Sequence, residues 1–386
     1  MDGLADRLSD GLAALERENL RRRRRVLDSP QGRRVRVDGR ELLNFSSNDY
    51  LGLACDARLV AAAHRALDAY GVGSGASPLV SGHSRAHEEA EQRFAAFVRL
   101  PRALLFASGY AANIGILTVL GGTDAEIFGD RLNHACLHDG ARLSRATYTR
   151  YAHLDLGALE RALAASRAAV RIVATDAVFS MDGDLAPLPR MLELCERYDA
   201  WLVVDDAHGI GVLGAGGRGS LEHFALASPR IVYMATLGKA LGGYGAFVAG
   251  AAQTIEWMLQ RARTYIFSTA LPPAMAAAAS AALQIVEHDA ALRARLAARI
   301  DEFRAACGAL AVTAAPSATA IQPVVVGEAA RALEASARLL ERGFLVPAIR
   351  PPTVPRGTSR LRISLSAAHE ADDVRGLAQA LAESVG

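Results

Sequence analysis

Through the middle of the chain, short apolar runs alternate with longer segments of helical spacing. Ala103–Ala107, Glu126–Gly129, Arg171–Thr175, Trp201–Val204 and Ile231–Ala235 are the runs. Trp201–Val204 is wholly apolar, which suits a strand buried on both faces of a parallel sheet. The pattern predicts an α/β domain. Nearer the N-terminus, Leu4, Leu8, Leu12 and Leu15 mark one face of an amphipathic helix continuing towards Leu20. Val35–Val37 and Glu41–Phe45 predict a hairpin turned at Asp38-Gly39. Beyond an alanine-rich, close-packed helix at Ala270–Ala282, a charged helix is expected around Asp289–Arg304. Two apolar runs follow, Ile321–Val326 and Leu361–Leu365, with helices near Arg331–Arg342 and Ala371–Glu383. That is an α+β pattern. The expected division is 1–45 (helix and hairpin), 46–288 (large domain) and 289–386 (small domain).

The apolar runs end in reactive groups. Trp201–Val204 leads into Asp205 and Asp206, with His208 three residues past Asp205; Ile231–Ala235 leads into Thr236 and Lys239. Ligands of open α/β sheets bind beyond the carboxyl ends of strands. A lysine there can form a Schiff base with pyridoxal phosphate (PLP), whose ring nitrogen needs an acid such as Asp205. Ala103–Ala107 leads to Ser108-Gly109-Tyr110, a helix start whose free N–H groups suit a phosphate. Asp130 and His134 follow one further run, and Ser180 another. Each residue alone has an ordinary explanation: Asp as a turn cap, Lys as a solvated side chain, Tyr110 as a core aromatic, His134 as structural. Their recurrence at successive strand ends outweighs those explanations. Two glycine patterns are decoys. Gly209–Gly214 matches G-x-G-x-x-G but runs into more glycine rather than a helix, and the G-x-G-x-x-A at Gly71–Ala76 follows a helix rather than a strand.

Composition narrows the field. With 386 residues, 51% hydrophobic and 22% charged, the chain has an ordinary globular make-up, and a net charge of +2 gives no general affinity for nucleic acid or acidic membranes. Arg21–Arg25 is a basic run without support elsewhere, read as a solvated, favourable positive helix end, or as the source of one substrate contact. Cys55, Cys136, Cys195 and Cys307 are scattered, which argues for reduced thiols, a cytoplasmic location and no structural metal. No stretch predicts a membrane span or a signal peptide.

The motifs S-N-D-Y-L-G-L, V-F-S-M-D-G-D, V-D-D-A-H-G and T-L-G-K occur in order, and the chain from Leu20 to His369 resembles the α-oxoamine synthases. These PLP enzymes condense an amino acid with an acyl thioester and release carbon dioxide. The resemblance implies a fold-type-I PLP transferase, with a large, mainly parallel-sheet domain, a smaller C-terminal domain and a homodimer with active sites at its interface. It implies Lys239 as Schiff-base lysine and base, Asp205 on the ring nitrogen, and Ser180 and His208 at the ring oxygen. His134 would stack on one ring face and touch substrate, with Ala207 on the other face. Gly109, Tyr110 and Thr236 would complete the cofactor contacts. Thr353 and an N-terminal arginine, Arg21 or else Arg22, would meet substrate. Ser81–Ser84, Ile321-Gln322-Pro323 and Arg350–Pro355 point to L-alanine and a pimeloyl thioester, on coenzyme A or a carrier protein, in biotin synthesis. Ala76 departs from the family's usual glycine. Leu241–Tyr244 looks instead like a relative using glycine and acetyl-CoA, which is the alternative.

Overall fold

The computed structural model describes residues 3–385. It divides into two compact units: Met1–Tyr50, Met181–Gly183 and Ala294–Gly386 form one, Leu51–Ser180 and Asp184–Arg293 the other.

The first unit contains the N-terminal helix, Leu4–Arg17, none of whose residues is buried. It stops short of Leu20 because Asn19 turns left-handed at φ 56°. The arginine run therefore lies beyond the helix rather than at its end. Strands β1 (Arg34–Val37) and β2 (Arg40–Asn44) form the expected hairpin. Asp38 and Gly39 both have positive φ, 50° and 73°, as a twist-compatible two-residue turn requires. Alternation along β1 buries Val35 and Val37 against Leu42 and Leu345.

The second unit is built on a seven-stranded sheet. Its strands are β3 (Arg102–Phe106), β4 (Ala125–Asp130), β5 (Thr147–Tyr151), β6 (Val170–Asp176), β7 (Ala200–Asp205), β8 (Ile231–Thr236) and β9 (Ala246–Gly250). Their spatial order is β3-β9-β8-β7-β6-β4-β5. Only β9 runs against its neighbours; β8, β7, β6, β4 and β5 are paired in parallel. The interior strands are almost wholly buried, whereas the edge strand β5 alternates Thr, Tyr and Arg and stays partly exposed. A polar edge discourages pairing with another sheet. The alanine-rich helix Pro273–His288 buries Ala274, Ala276, Ala278, Ala279 and Ala282. Small side chains let it approach helices Ala57–Tyr70 and Arg85–Val98 closely.

The chain returns to the first unit along helix Ala290–Ala309. There β10 (Ile321–Gly327), β12 (Ala348–Ile349) and β13 (Ser359–Ser364) make an antiparallel sheet, while β11 (Phe344–Leu345) pairs in parallel with β2. The N-terminal hairpin thus shares a sheet with residues 300 positions later. His369 joins the same region: its ring stacks on Phe45 at 4.1 Å, accepts from Ser366 N–H and donates to the Asn44 carbonyl. Burial pushes its pKa down to about 4, so the ring is neutral. No described helix is long and apolar enough to cross a membrane.

Candidate active site

The parallel strands β4, β6, β7 and β8 end in Asp130, Asp176, Asp205 and Thr236. Asp205 is 4% exposed and is held by two neutral donors. Asn113 Nδ2 donates to its Oδ2 at 2.7 Å and the Ala207 N–H to its Oδ1 at 2.9 Å. Lys239 lies three residues past β8, and its Nζ is 2.8 Å from His208 Nε2. His134 caps helix Ala135–Leu143, accepting from Cys136 N–H, and its own N–H donates to Asp176 Oδ2 at 2.6 Å. Burial lowers the His134 pKa against the opposing pull of Asp205, which favours a neutral imidazole at pH 7. Asp176 sits level with Asp205 on the neighbouring strand. Burial first, then the charge of Asp205, pushes the Asp176 carboxyl well up.

Helix Gly109–Leu120 starts immediately after β3. Ser108 caps it, its Oγ accepting from Ala111 N–H at 3.2 Å. A Cβ on Gly109 would lie 3.6 Å from Met234 Cε and 4.0 Å from Thr236 Cβ, so this helix start faces the end of β8. Tyr110 is not a core aromatic: it is half exposed, and its hydroxyl donates to Asp139 Oδ2 at 2.8 Å. Thr236 Oγ1 donates to the Gly245 carbonyl and accepts from Gly238 N–H. Ala207 is buried beside Asp205, and Ser180 follows Phe179 in a turn closed by the Val178–Leu185 bridge.

Asp206 points away from this group. Its Oδ2 accepts from Tyr233 Oη and from Ser220 N–H, both at 2.7 Å. The glycine decoy has its explanation here. A Cβ on Gly209 would lie 2.0 Å from Asp206 Oδ1, and one on Gly219 2.1 Å from Oδ2. Glycine lets the loop close around a buried carboxylate. Packing also accounts for Leu241 and Gly242. Leu241 is buried, and a Cβ on Gly242, with φ 65°, would lie 2.5 Å from the Leu53 backbone.

In the other unit, Arg22 Nη2 donates to Thr353 Oγ1 at 3.3 Å, while Arg21 and Arg23 both pair with Glu16. Arg22, rather than the first-choice Arg21, is the arginine joined to Thr353. Sequence reasoning did not single out Asn113 or Asp176. The signal for Asn113 was a lone amide in the apolar helix G-Y-A-A-N-I-G-I-L.

The class I and II aminotransferase family model matches residues 40–381. The 8-amino-7-oxononanoate synthase of Methylobacillus flagellatus is 58% identical over 97% of this chain and 94% of its own. The chain belongs to the 8-amino-7-oxononanoate synthases. Within the wider fold, the 8-amino-7-oxononanoate synthase of Francisella tularensis superposes with a TM-score of 0.78 at 31% identity, over 89% of this chain and 97% of that one. A serine palmitoyltransferase of S. paucimobilis, bound to a PLP–myriocin aldimine, superposes with a TM-score of 0.93 at 26% identity, over 98% and 96%. The synthases are PLP-dependent acyltransferases of biotin biosynthesis. The donors on this sheet edge fit PLP: an amine for its aldehyde, a buried carboxylate for its ring nitrogen, and a serine-capped helix start for its phosphate.

Proposed function

We propose that this chain joins L-alanine to a pimeloyl thioester, giving 8-amino-7-oxononanoate, carbon dioxide and the free thiol. The observation that carries the reading is the grouping of Lys239 with His208 and of Asp205 with Asn113 at one sheet edge, with the charges of both Lys239 and Asp205 acting on His134. When bound, PLP supplies an aldehyde for amines and a protonated ring that draws electrons from the reacting carbon.

Lys239 holds the cofactor and serves as base, its neutral amine taking the α-proton of alanine and later returning a proton. Asp205 would keep the ring nitrogen protonated through its charge, and Asn113 and the Ala207 N–H hold that carboxylate in place. His134, as a neutral imidazole, would cover one face of a bound ring and Ala207 the other. Ser180 and His208 would meet the ring oxygen, and Gly109, Tyr110 and Thr236 would complete the cofactor contacts, Thr236 near the phosphate. On the substrates, the alanine α-carbon bonds to the acyl carbonyl carbon and the carbon–sulfur bond breaks, sulfur leaving as the thiol. The α-carboxylate then departs as carbon dioxide, and the carbon it leaves takes up a proton. Arg22 and Thr353 bind an anionic part of the substrate. The working form is a homodimer.

Borohydride treatment of the yellow holoenzyme should fix PLP to Lys239, read by peptide mass. Turnover of alanine with pimeloyl-CoA or a pimeloyl carrier protein should exceed that of glycine with acetyl-CoA. A protein that takes up no PLP, or one faster with glycine and acetyl-CoA, overturns the assignment.

A further inference from the structure

One ion cluster, anchored on the buried Asp130, is not used by any step above, yet it touches both loops that carry proposed ring contacts. His153 lies between two carboxylates. Its Nδ1 donates to Asp130 at 3.0 Å and its Nε2 to Asp184 Oδ2 at 2.7 Å. The imidazole meets Phe179 edge-on, with centroids 4.5 Å apart. Burial alone would lower its pKa, but the hydrogen bonds and charges of Asp130 and Asp184 outweigh that and push it up to about 10. The ring is therefore an imidazolium throughout the neutral range.

Each carboxylate organises a loop. Asp130 is 1% exposed and accepts the N–H groups of Leu132 and Leu154, while its carbonyl accepts from Asn133 N–H. Asn133 in turn donates to the Ala174 carbonyl and accepts from Asp176 N–H, and the next residue is His134. Asp184 closes the other loop: its carbonyl accepts from Phe179 N–H, and Ser180 follows. The second carboxylate oxygen of Asp184 is buried without a hydrogen-bond partner, so among the described residues His153 is the one cation bonded to that side chain. Removing His153 leaves the buried Asp130 carboxylate uncompensated.

We propose that His153 is a positioning residue of the cofactor site: by spanning Asp130 and Asp184, its imidazolium fixes the Ser180 loop against the His134 turn. The inference rests on the reading that PLP binds at Lys239 with His134 and Ser180 at its ring. It predicts that cofactor binding, and not merely stability, depends on a residue that touches no ligand.

The test uses His153→Gln and Asp184→Asn, separately and combined, with Ser180→Ala for reference. PLP affinity is read by titrating the apoenzymes, alongside the absorbance band of each holoenzyme and the melting temperature of each apoenzyme. Each single variant should bind PLP about tenfold more weakly, as expected for a lost charge-assisted hydrogen bond. Each should also displace the absorbance band in the same direction as Ser180→Ala. The double variant should be little worse than either single one, since both break the same link. If His153→Gln does not fold, Asp184→Asn, which keeps shape and removes one charge, decides alone. Variants that melt earlier but match the wild type in PLP affinity and absorbance overturn the proposal and leave the site reading intact. A wild type that takes up no PLP at Lys239 overturns both.

Discussion

Asp205 and Asp206 are neighbours in sequence, identical side chains and both buried, yet they face different regions with different purposes. The Asp205 side holds Asn113 and, close enough for their charges to act together, His134 and Lys239. On the Asp206 side lie Tyr233, Ser220 and a glycine loop with no room for a side chain at Gly209 or Gly219. Burial alone does not separate the two, at 4% and 0% exposure. Their company does. Groups able to exchange protons or form bonds gather on one side, and groups that only saturate a carboxylate gather on the other. The pleat of β7 makes the division, since successive side chains at a strand end point to opposite faces.

The sharpest way to break the comparison is to neutralise each carboxylate in turn. Asp205→Asn keeps the size and one acceptor but removes the charge proposed to hold the ring nitrogen protonated. PLP should still attach to Lys239. Exchange of the alanine α-hydrogen with deuterated solvent should slow by roughly 100- to 1,000-fold, the scale of a lost preorganised electrostatic contact. Asp206→Asn should change that rate little. If the variants behave the other way round, the carboxylate roles are exchanged and the assignment fails.

A smaller effect, on stability alone, is expected from the loop around Asp206. Gly219 has φ 89°, and a Cβ there would also lie 2.5 Å from Tyr233 Oη. Gly219→Ala should lower unfolding stability by about 3 kcal/mol, from backbone strain together with the clash. Chemical denaturation measures this. The exchange rate of the protein that remains folded should stay near the wild-type value; a parallel loss of exchange would mean the two sides are coupled.

Much of this division was legible in the chain itself. Strands β4, β6, β7 and β8 announced themselves as apolar runs, whereas β9 went unread, and Asp205 and Lys239 stood at or just past the ends of β7 and β8. What escaped was long-range. His153 reaches Asp184 across 31 residues and Asp130 across 23, and no local pattern signals either bond. The antiparallel course of β9 has no mark in A-F-V-A-G, because direction depends on the connection rather than on the strand. The N-terminal hairpin reads as a separate segment until β11 pairs with it. Arg21 and Arg22 have identical side chains, and only the fold gives one Glu16 and the other Thr353. The packing of the glycine loop around Asp206 also needed the fold.

The smallest expected effect concerns pH. Burial raises Asp206 to about 7, against the lowering influence of its bonds to Ser220 and Tyr233. The folded-state value thus lies above the value of about 4 expected for an unfolded aspartate. The folded protein binds the extra proton between these limits, so the contribution to stability is fully present below about pH 4 and is lost as pH rises through about 7. Between about pH 6 and about pH 8 the wild type should lose roughly 1 kcal/mol from this group. Asp206→Asn cannot titrate there and should not share that loss, whatever its absolute stability. Urea midpoints of both proteins at the two pH values isolate the term, because every other titrating group is common to them and cancels in the difference. A wild type and variant whose midpoints move in parallel would mean that Asp206 is already ionised at about pH 6. In that case its two donors outweigh burial, and the structural side of the strand end stabilises a charge after all.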